Sequence, residues 1–208
     1  MKKKPVYTFI KRLFDIFASF ISIVLLALPM LIIAIAIKCN SKGPVLFKQD
    51  RIGKNKKIFK ILKFRSMYIN TDPNAPTHLL KNASSHITKV GKFIRKTSLD
   101  ELPQIFNIFV GQMSFVGPRP ALWNQDDLVA ERDKYHANDV VPGVTGLAQV
   151  NGRDAIEIPV KAKFDGIYVE KRSLWFDFKI LIKTFLYVFC RKGVVEGGTG
   201  SLNDDKNK

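Results

Sequence analysis

The chain has 208 residues, 46% of them hydrophobic, with 34 Lys and Arg against 18 Asp and Glu, a formal net charge of +16. The apolar fraction excludes disorder throughout. A charged fraction of 25% with a single long uncharged run excludes a polytopic membrane protein, and two cysteines, Cys39 and Cys190, exclude a disulfide scaffold and read as reduced, structural residues. The excess positive charge points to an anionic partner, whether nucleic acid, anionic lipid or a phosphorylated substrate.

Residues 16–37 carry no charge. As a helix they would measure about 33 Å, enough for a hydrocarbon core of about 30 Å. Only Ser19 and Ser22 interrupt the apolar surface, so a soluble amphipathic helix is not expected. The run is too long for a signal peptide and lacks a small-residue cleavage site. Lys2, Lys3, Lys4, Lys11 and Arg12 precede it; Lys38, Lys42, Lys48 and Arg51 begin a basic stretch after it. The positive-inside rule draws both flanks to the cytoplasmic side. Pro29 lies past the middle of the run and would kink or break the helix. A spanning helix with a tolerated kink and a re-entrant helix are both compatible with these residues.

Next come two short apolar and basic alternations, at residues 45–47 and 57–64, around the turn-like Arg51-Ile52-Gly53-Lys54-Asn55-Lys56. They predict a β-hairpin with a basic face. Residues 70–76 give a loop signal. Residues 173–190 are strongly apolar but contain Asp177, Lys179 and Lys183. That pattern suits a helix lying in a membrane interface, and also a core helix. Residues 193–208 predict a disordered tail.

The chemistry concentrates in three stretches. In Arg95-Lys96-Thr97-Ser98-Leu99-Asp100-Glu101-Leu102-Pro103-Gln104, Ser98 and Glu101 have capping-box spacing. Leu102, Ile105, Phe106 and Phe109 predict the apolar face of a following helix. Asp100 and Glu101 would then lie at a helix N-terminus, as caps or as part of a phosphate-handling site. Gly117-Pro118-Arg119-Pro120 presents a guanidinium between two prolines, a fork that suits phosphate. Pro142-Gly143-Val144-Thr145-Gly146-Leu147-Ala148-Gln149-Val150-Asn151-Gly152-Arg153 is a glycine-spaced loop able to approach a ligand with its backbone. The histidines show no metal-ligand spacing.

Taken in order with Lys63-Phe64-Arg65-Ser66-Met67 and Met113-Ser114-Phe115-Val116, these motifs resemble the bacterial sugar transferases, the monotopic polyprenyl-phosphate phosphoglycosyl transferases. The resemblance runs from about residue 10 to residue 192. It implies transfer of a sugar-1-phosphate from a nucleotide diphosphate sugar, with UDP as the nucleotide, to polyprenyl (undecaprenyl) phosphate. It implies magnesium as cofactor and Asp100 of the Asp100-Glu101 pair as nucleophile, with both residues as metal ligands. Glu101 would hold magnesium or position the acceptor phosphate. Arg95, Arg119 and Arg153 are candidates to neutralise the pyrophosphate, and Lys63 and Gln149 join them as substrate-binding candidates. Asp177 matches a family aspartate, with a substrate role and a structural salt bridge both open.

The implied fold is mainly α with a short β-hairpin. Residues 1–40 would form a re-entrant membrane helix broken at Pro29, although Leu28 stands where some members have serine. Residues 41–192 would form a small catalytic domain carrying interfacial amphipathic helices, on the cytoplasmic face of the bacterial inner membrane. The length matches small members built from this unit alone. The expected product initiates a surface glycan: capsule, exopolysaccharide, lipopolysaccharide O-antigen or protein glycan. Membrane lipid is an expected partner; nucleic acid is not, because no binding module is recognisable. The sugar and the oligomeric state are not legible.

Overall fold

A computed structural model describes residues 4–69, 71, 83–152 and 156–189. The first element, α1, runs from Pro5 to Asn40. Pro5 occupies the first turn, where its missing N–H costs nothing, and extended Ser41 ends the helix. The expected break at Pro29 is not an interruption: α1 is helical on both sides of it. By length and composition α1 could cross a membrane. Phe9, Phe17, Val24, Leu25 and Leu28 are all at least 60% exposed.

The opposite side of α1 is fixed to the remaining chain from end to end. Lys4 Nζ donates to the carbonyls of Glu170 (2.9 Å) and Arg172 (2.8 Å). Arg12 donates to the carbonyls of Ile108 (2.7 Å) and Phe109 (2.8 Å), and the Phe115 N–H donates to Asp15 Oδ1 (3.2 Å). Farther along, Met30 and Ile37 are buried against Phe64 and Ile94. Just past the helix, Arg65 donates to the carbonyls of Ser41 and Lys42. Cys39 is exposed near the end of α1, so a packed structural role is corrected; Cys190 lies outside the described residues.

The predicted hairpin forms from β1 (Leu46–Ile52) and β2 (Ile58–Phe64), antiparallel with Leu46 opposite Phe64 and Ile52 opposite Ile58. Asn55 and Lys56 turn the chain with φ of 54° and 59°. The first strand is longer than expected, because the basic stretch through Arg51 pairs rather than loops. After the hairpin, α2 (Lys89–Lys96) starts at Thr88, whose hydroxyl accepts from the Gly91 N–H at 2.9 Å. A Cβ on Gly91 would sit 1.9 Å from the Ser66 carbonyl oxygen, so only glycine allows this approach.

Helix α3 (Gln104–Phe109) departs from its predicted face. Ile105 and Ile108 are buried, but so are Gln104 and Asn107, whereas Phe106 and Phe109 remain 40% and 39% exposed. The reason is the hairpin edge. The outer backbone groups of β2 need partners, and Asn107 supplies them, accepting from Leu62 N–H (3.0 Å) and donating to the Lys60 carbonyl (2.9 Å). Phe109 instead turns toward Phe20 of α1, ring centroids 6.4 Å apart.

The second half of the chain adds elements the sequence reading did not anticipate. Short strands β3 (Ser114–Val116) and β4 (Gly143–Thr145) pair in parallel. Between them lies α4 (Asp126–Asp133), and α5 (Ile158–Lys171) follows. A buried ion pair joins these helices, with Arg132 Nη2 2.6 Å from Asp165 Oδ2. The expected helix near the C-terminal end is α6 (Leu174–Phe189). Its Ile180 packs in a core with Val116, Ala137, Tyr168 and Val169. Its other side exposes Trp175, Phe178, Ile182, Phe185 and Leu186. One face thus packs in the core, as the core-helix reading expected, while the other is apolar and exposed. The predicted tail lies outside the described residues, as do residues 70 and 72–76 of the predicted loop.

Candidate active site

Asp100 and Glu101 lie in a single 3-10 turn, Leu99–Glu101, between α2 and α3. The predicted capping box does not form. Ser98 has φ 57° and its side chain makes no capping bond. It closes α2 instead: its N–H donates to the Arg95 carbonyl (3.1 Å), and Thr97 N–H to that of Phe93 (3.1 Å). A left-handed serine costs on the order of 1–2 kcal/mol, a strain typical of functional turns. Leu99 and Leu102 anchor the turn in the cluster of Met30, Ile37, Phe64 and Ile94.

The two carboxylates differ in how they are held. Glu101 Oε1 accepts from Lys63 Nζ at 2.8 Å and from Arg119 Nη2 at 2.6 Å. Burial alone would push the Glu101 carboxyl up, but Arg119 and Lys63 outweigh it and hold it well below the usual carboxylate range. Asp100 makes no hydrogen bond or ion pair among the described residues. Burial pushes its carboxyl above the usual range; Lys63 opposes this, Glu101 adds to it, and Arg95 and Arg119 oppose it. Thus Lys63 on β2, Arg95 in the last turn of α2, Arg119 after β3 and the acidic pair converge on one place. The Arg95 Nε is buried without a partner among the described residues.

Arg119 is held through the backbone on both of its sides. Gly117 N–H donates to the Thr145 carbonyl (2.8 Å) and Gly143 N–H to that of Pro118 (2.9 Å). Arg51 Nη1 donates to the Pro120 carbonyl (3.1 Å), and Ile52 N–H to that of Ala121 (2.9 Å). The prolines and the hairpin together fix the guanidinium toward Glu101. The glycines expected to admit a ligand have a different purpose. A Cβ on Gly143 would lie 2.1 Å from Gly117 N, and one on Gly146 2.1 Å from Gly117 O, so they let β3 and β4 close on each other.

Among the other expected site residues, Gln149 is buried beside Gly146, with neither amide atom partnered among the described residues. Arg153 lies outside the described residues. Asp177 is in a separate network: Oδ2 accepts from Tyr7 (2.8 Å) and Lys11 (2.7 Å), and Oδ1 from Tyr168 (3.0 Å). Of its two readings, this is the salt bridge. The Tyr168 hydroxyl also lies 3.1 Å from the Val116 carbonyl, so the network braces the strand that leads to Arg119.

Sequence reasoning missed Tyr7, Lys11 and Asp15 on α1, and Arg51 behind Arg119. The three α1 residues recur every fourth position, a polar stripe on a mostly apolar helix, and such a stripe lies on one face. For Arg51 no comparable signal exists.

Three or more His, Cys, Asp or Glu side chains do not cluster anywhere among the described residues. The donor set nonetheless fits magnesium, which commonly takes one or two carboxylates and completes its shell with substrate phosphates and water. Asp100 offers an uncommitted carboxylate, and both bonds to Glu101 fall on Oε1.

The family model described as "Bacterial sugar transferase" matches residues 6–191. The UDP-glucose:undecaprenyl-phosphate glucose-1-phosphate transferase of Klebsiella pneumoniae is 41% identical over 195 residues, covering 88% of this chain and 40% of that protein. The undecaprenyl-phosphate galactose phosphotransferase of Salmonella typhimurium is 40% identical over 200 residues, 89% of this chain and 41% of that protein. The exopolysaccharide production protein PSS of Rhizobium leguminosarum bv. phaseoli is 41% identical over 195 residues, 88% of this chain and 96% of that protein. The chain thus spans about two fifths of the length of the first two relatives and nearly all of the third. With the family model matched over most of its length, the chain belongs to the bacterial sugar transferase family.

Proposed function

We propose that the chain transfers a sugar-1-phosphate from a UDP-sugar to undecaprenyl phosphate, the first membrane step in making a surface polysaccharide or glycoconjugate. The relatives' names support the substrate classes. One observation carries the division of labour: of two adjacent acids, Glu101 is clamped by two cations while Asp100 is uncommitted among them.

In this reading an Asp100 oxygen attacks the phosphorus that bears the sugar. An oxygen–phosphorus bond forms, and the bond to the nucleoside monophosphate breaks with its electron pair leaving on that phosphate. The acceptor phosphate then attacks the same phosphorus and restores the carboxylate. Glu101 sets the spacing of Lys63 and Arg119, which neutralise the pyrophosphate together with Arg95. Magnesium, held by Asp100, Glu101 and substrate oxygens, would supply further charge neutralisation at the phosphates.

The anchoring of α1 supports a monotopic, re-entrant arrangement. A helix of this length measures about 54 Å when straight. Yet one small domain holds it at Lys4, Arg12 and Asp15 and again at Met30 and Ile37. A spanning α1 would carry part of that basic domain through the hydrocarbon. The exposed apolar sides of α1 and α6, with Phe106 and Phe109, give a surface suited to lipid. The catalytic turn then faces the cytoplasm.

The reaction is tested by release of nucleoside monophosphate from a panel of nucleotide sugars, with undecaprenyl phosphate and magnesium. Acceptor-dependent UMP release that Asp100→Asn abolishes is the expected result. Full release by Asp100→Asn removes the proposed nucleophile.

A further inference from the structure

The N-terminal ends of α1 and α6 flank an open cleft that the proposed reaction does not use. Its volume is about 550 Å³, inside the range of about 300–1,000 Å³ common to small-ligand sites. Pro5, Val6 and Ile10 line it from α1 and Leu174 from α6. Two cations, Lys4 and Arg172, complete the lining, with no acid beside them among the described residues. Lys4 Nζ donates to the carbonyls of Glu170 (2.9 Å) and Arg172 (2.8 Å). An ammonium carries three N–H groups, so one is left for an anion. Lys2 and Lys3 directly precede Lys4 in the sequence.

The cleft is continuous with the exposed apolar side of the molecule. Val6, Ile10 and Leu174 are exposed, and so are Trp175 and Phe178 of α6. The Trp175 and Phe178 rings stack with centroids 5.6 Å apart, and Lys179 Nζ lies 5.4 Å from the Trp175 ring. Amphipathic rings with a lysine beside them suit the headgroup level of a membrane.

We propose that this cleft binds one anionic phospholipid, with an acyl chain along Val6, Ile10 and Leu174 and the phosphate at Lys4 and Arg172. The proposal rests on the reading of the exposed sides of α1 and α6 as lipid-facing. Charge sets the headgroup class: a choline would place a third cation beside Lys4 and Arg172, whereas a glycerol headgroup leaves the phosphate charge uncompensated. This lipid is not the acceptor substrate. The helical path from Lys4 to Met30 is about 39 Å at 1.5 Å per residue, and it is at Met30 that the catalytic turn is anchored. Tyr7 also lines the cleft and donates to Asp177 at 2.8 Å. A lipid seated there packs against the network that braces β3.

The test places the full chain in nanodiscs of phosphatidylcholine and phosphatidylglycerol in equal parts, and native mass spectrometry counts the lipid retained on release. The wild type should keep one phosphatidylglycerol, favoured at least about tenfold over phosphatidylcholine, and melt at a higher temperature than in phosphatidylcholine alone. Val6→Trp fills the cleft while leaving the Lys4 bonds intact, and should lose both effects, as should Lys4→Met. Leu28→Trp, on the exposed side of α1 outside the cleft, should keep them. Equal retention of the two lipids, a preference that survives Val6→Trp, or one that Leu28→Trp also removes overturns the proposal. Inorganic phosphate that reproduces the rise in melting temperature overturns it too, since the site would then take phosphate without a chain. None of these readouts depends on sugar transfer. A chain that does not embed in the nanodisc fails the lipid-facing reading and this proposal with it; a chain that embeds without preference fails this proposal alone.

Discussion

Two substitutions in the clamp should move the pH dependence of the first half-reaction in opposite directions. Lys63 Nζ lies 2.8 Å from Glu101 Oε1 and is the strongest influence opposing the rise of the Asp100 carboxyl. Glu101 acts on Asp100 with the opposite sign. A nearby cation favours the charged carboxylate and a nearby anion disfavours it. Asp100 must be ionised to attack, so its folded-state value sets the acid limb of the rate. Lys63→Met should move that limb to higher pH, and Glu101→Gln should move it to lower pH. Glu101 is held well below the usual range, so it stays ionised across this window and does not itself produce the limb. Glu101→Gln should also slow the step, because Lys63 and Arg119 lose the carboxylate that spaces them. A loss of about 2 kcal/mol for a charge-assisted bond corresponds to roughly thirtyfold in rate. The assay is the burst of UMP from UDP-sugar alone, measured from pH 4 to 8. Limbs that move in the same direction, or not at all, would refute the placement of these charges around Asp100.

Other consequences follow from the geometry. Lys11→Met and Asp177→Asn each leave a buried partner of the Tyr7, Tyr168 network uncompensated. Each should cost about 3 kcal/mol, and the double variant less than their sum, in denaturant unfolding of purified protein. Gly143→Ala places a Cβ 2.1 Å from Gly117 N, so it should part β3 from β4, displace Arg119 and abolish turnover; UMP release near the wild-type rate would contradict this. Single cysteines at Lys4 and Lys42 should both react with an impermeant reagent applied from the cytoplasmic side. Opposite-side labelling would contradict the re-entrant arrangement.

The hairpin, the long apolar helix and the terminal amphipathic helix were legible because their periodicities are local and strong. The acidic pair and its surrounding cations were legible as motifs. What escaped depends on contacts between distant segments. Ser98 and Glu101 have the spacing of a capping box, but the chain needs Ser98 to end α2, and that requirement overrides the local pattern. Gly117, Gly143 and Gly146 looked like ligand loops. Their smallness serves one another, across a parallel pairing that sequence spacing cannot reveal. Phe106 and Phe109 obeyed a helical period but lost the buried face, part of which Asn107 takes because the edge of β2 called for hydrogen bonds. Asp177 was correctly marked as needing a partner, and Lys11, 166 residues away, supplies it.

The covalent role of Asp100 is tested most directly by intact-protein and peptide mass spectrometry after incubation with UDP-sugar and magnesium, without acceptor. The account predicts one added sugar phosphate on the peptide containing Asp100, its removal on adding undecaprenyl phosphate, and no adduct in Asp100→Asn. An unmodified Asp100 in a preparation that turns over when acceptor is supplied would contradict it.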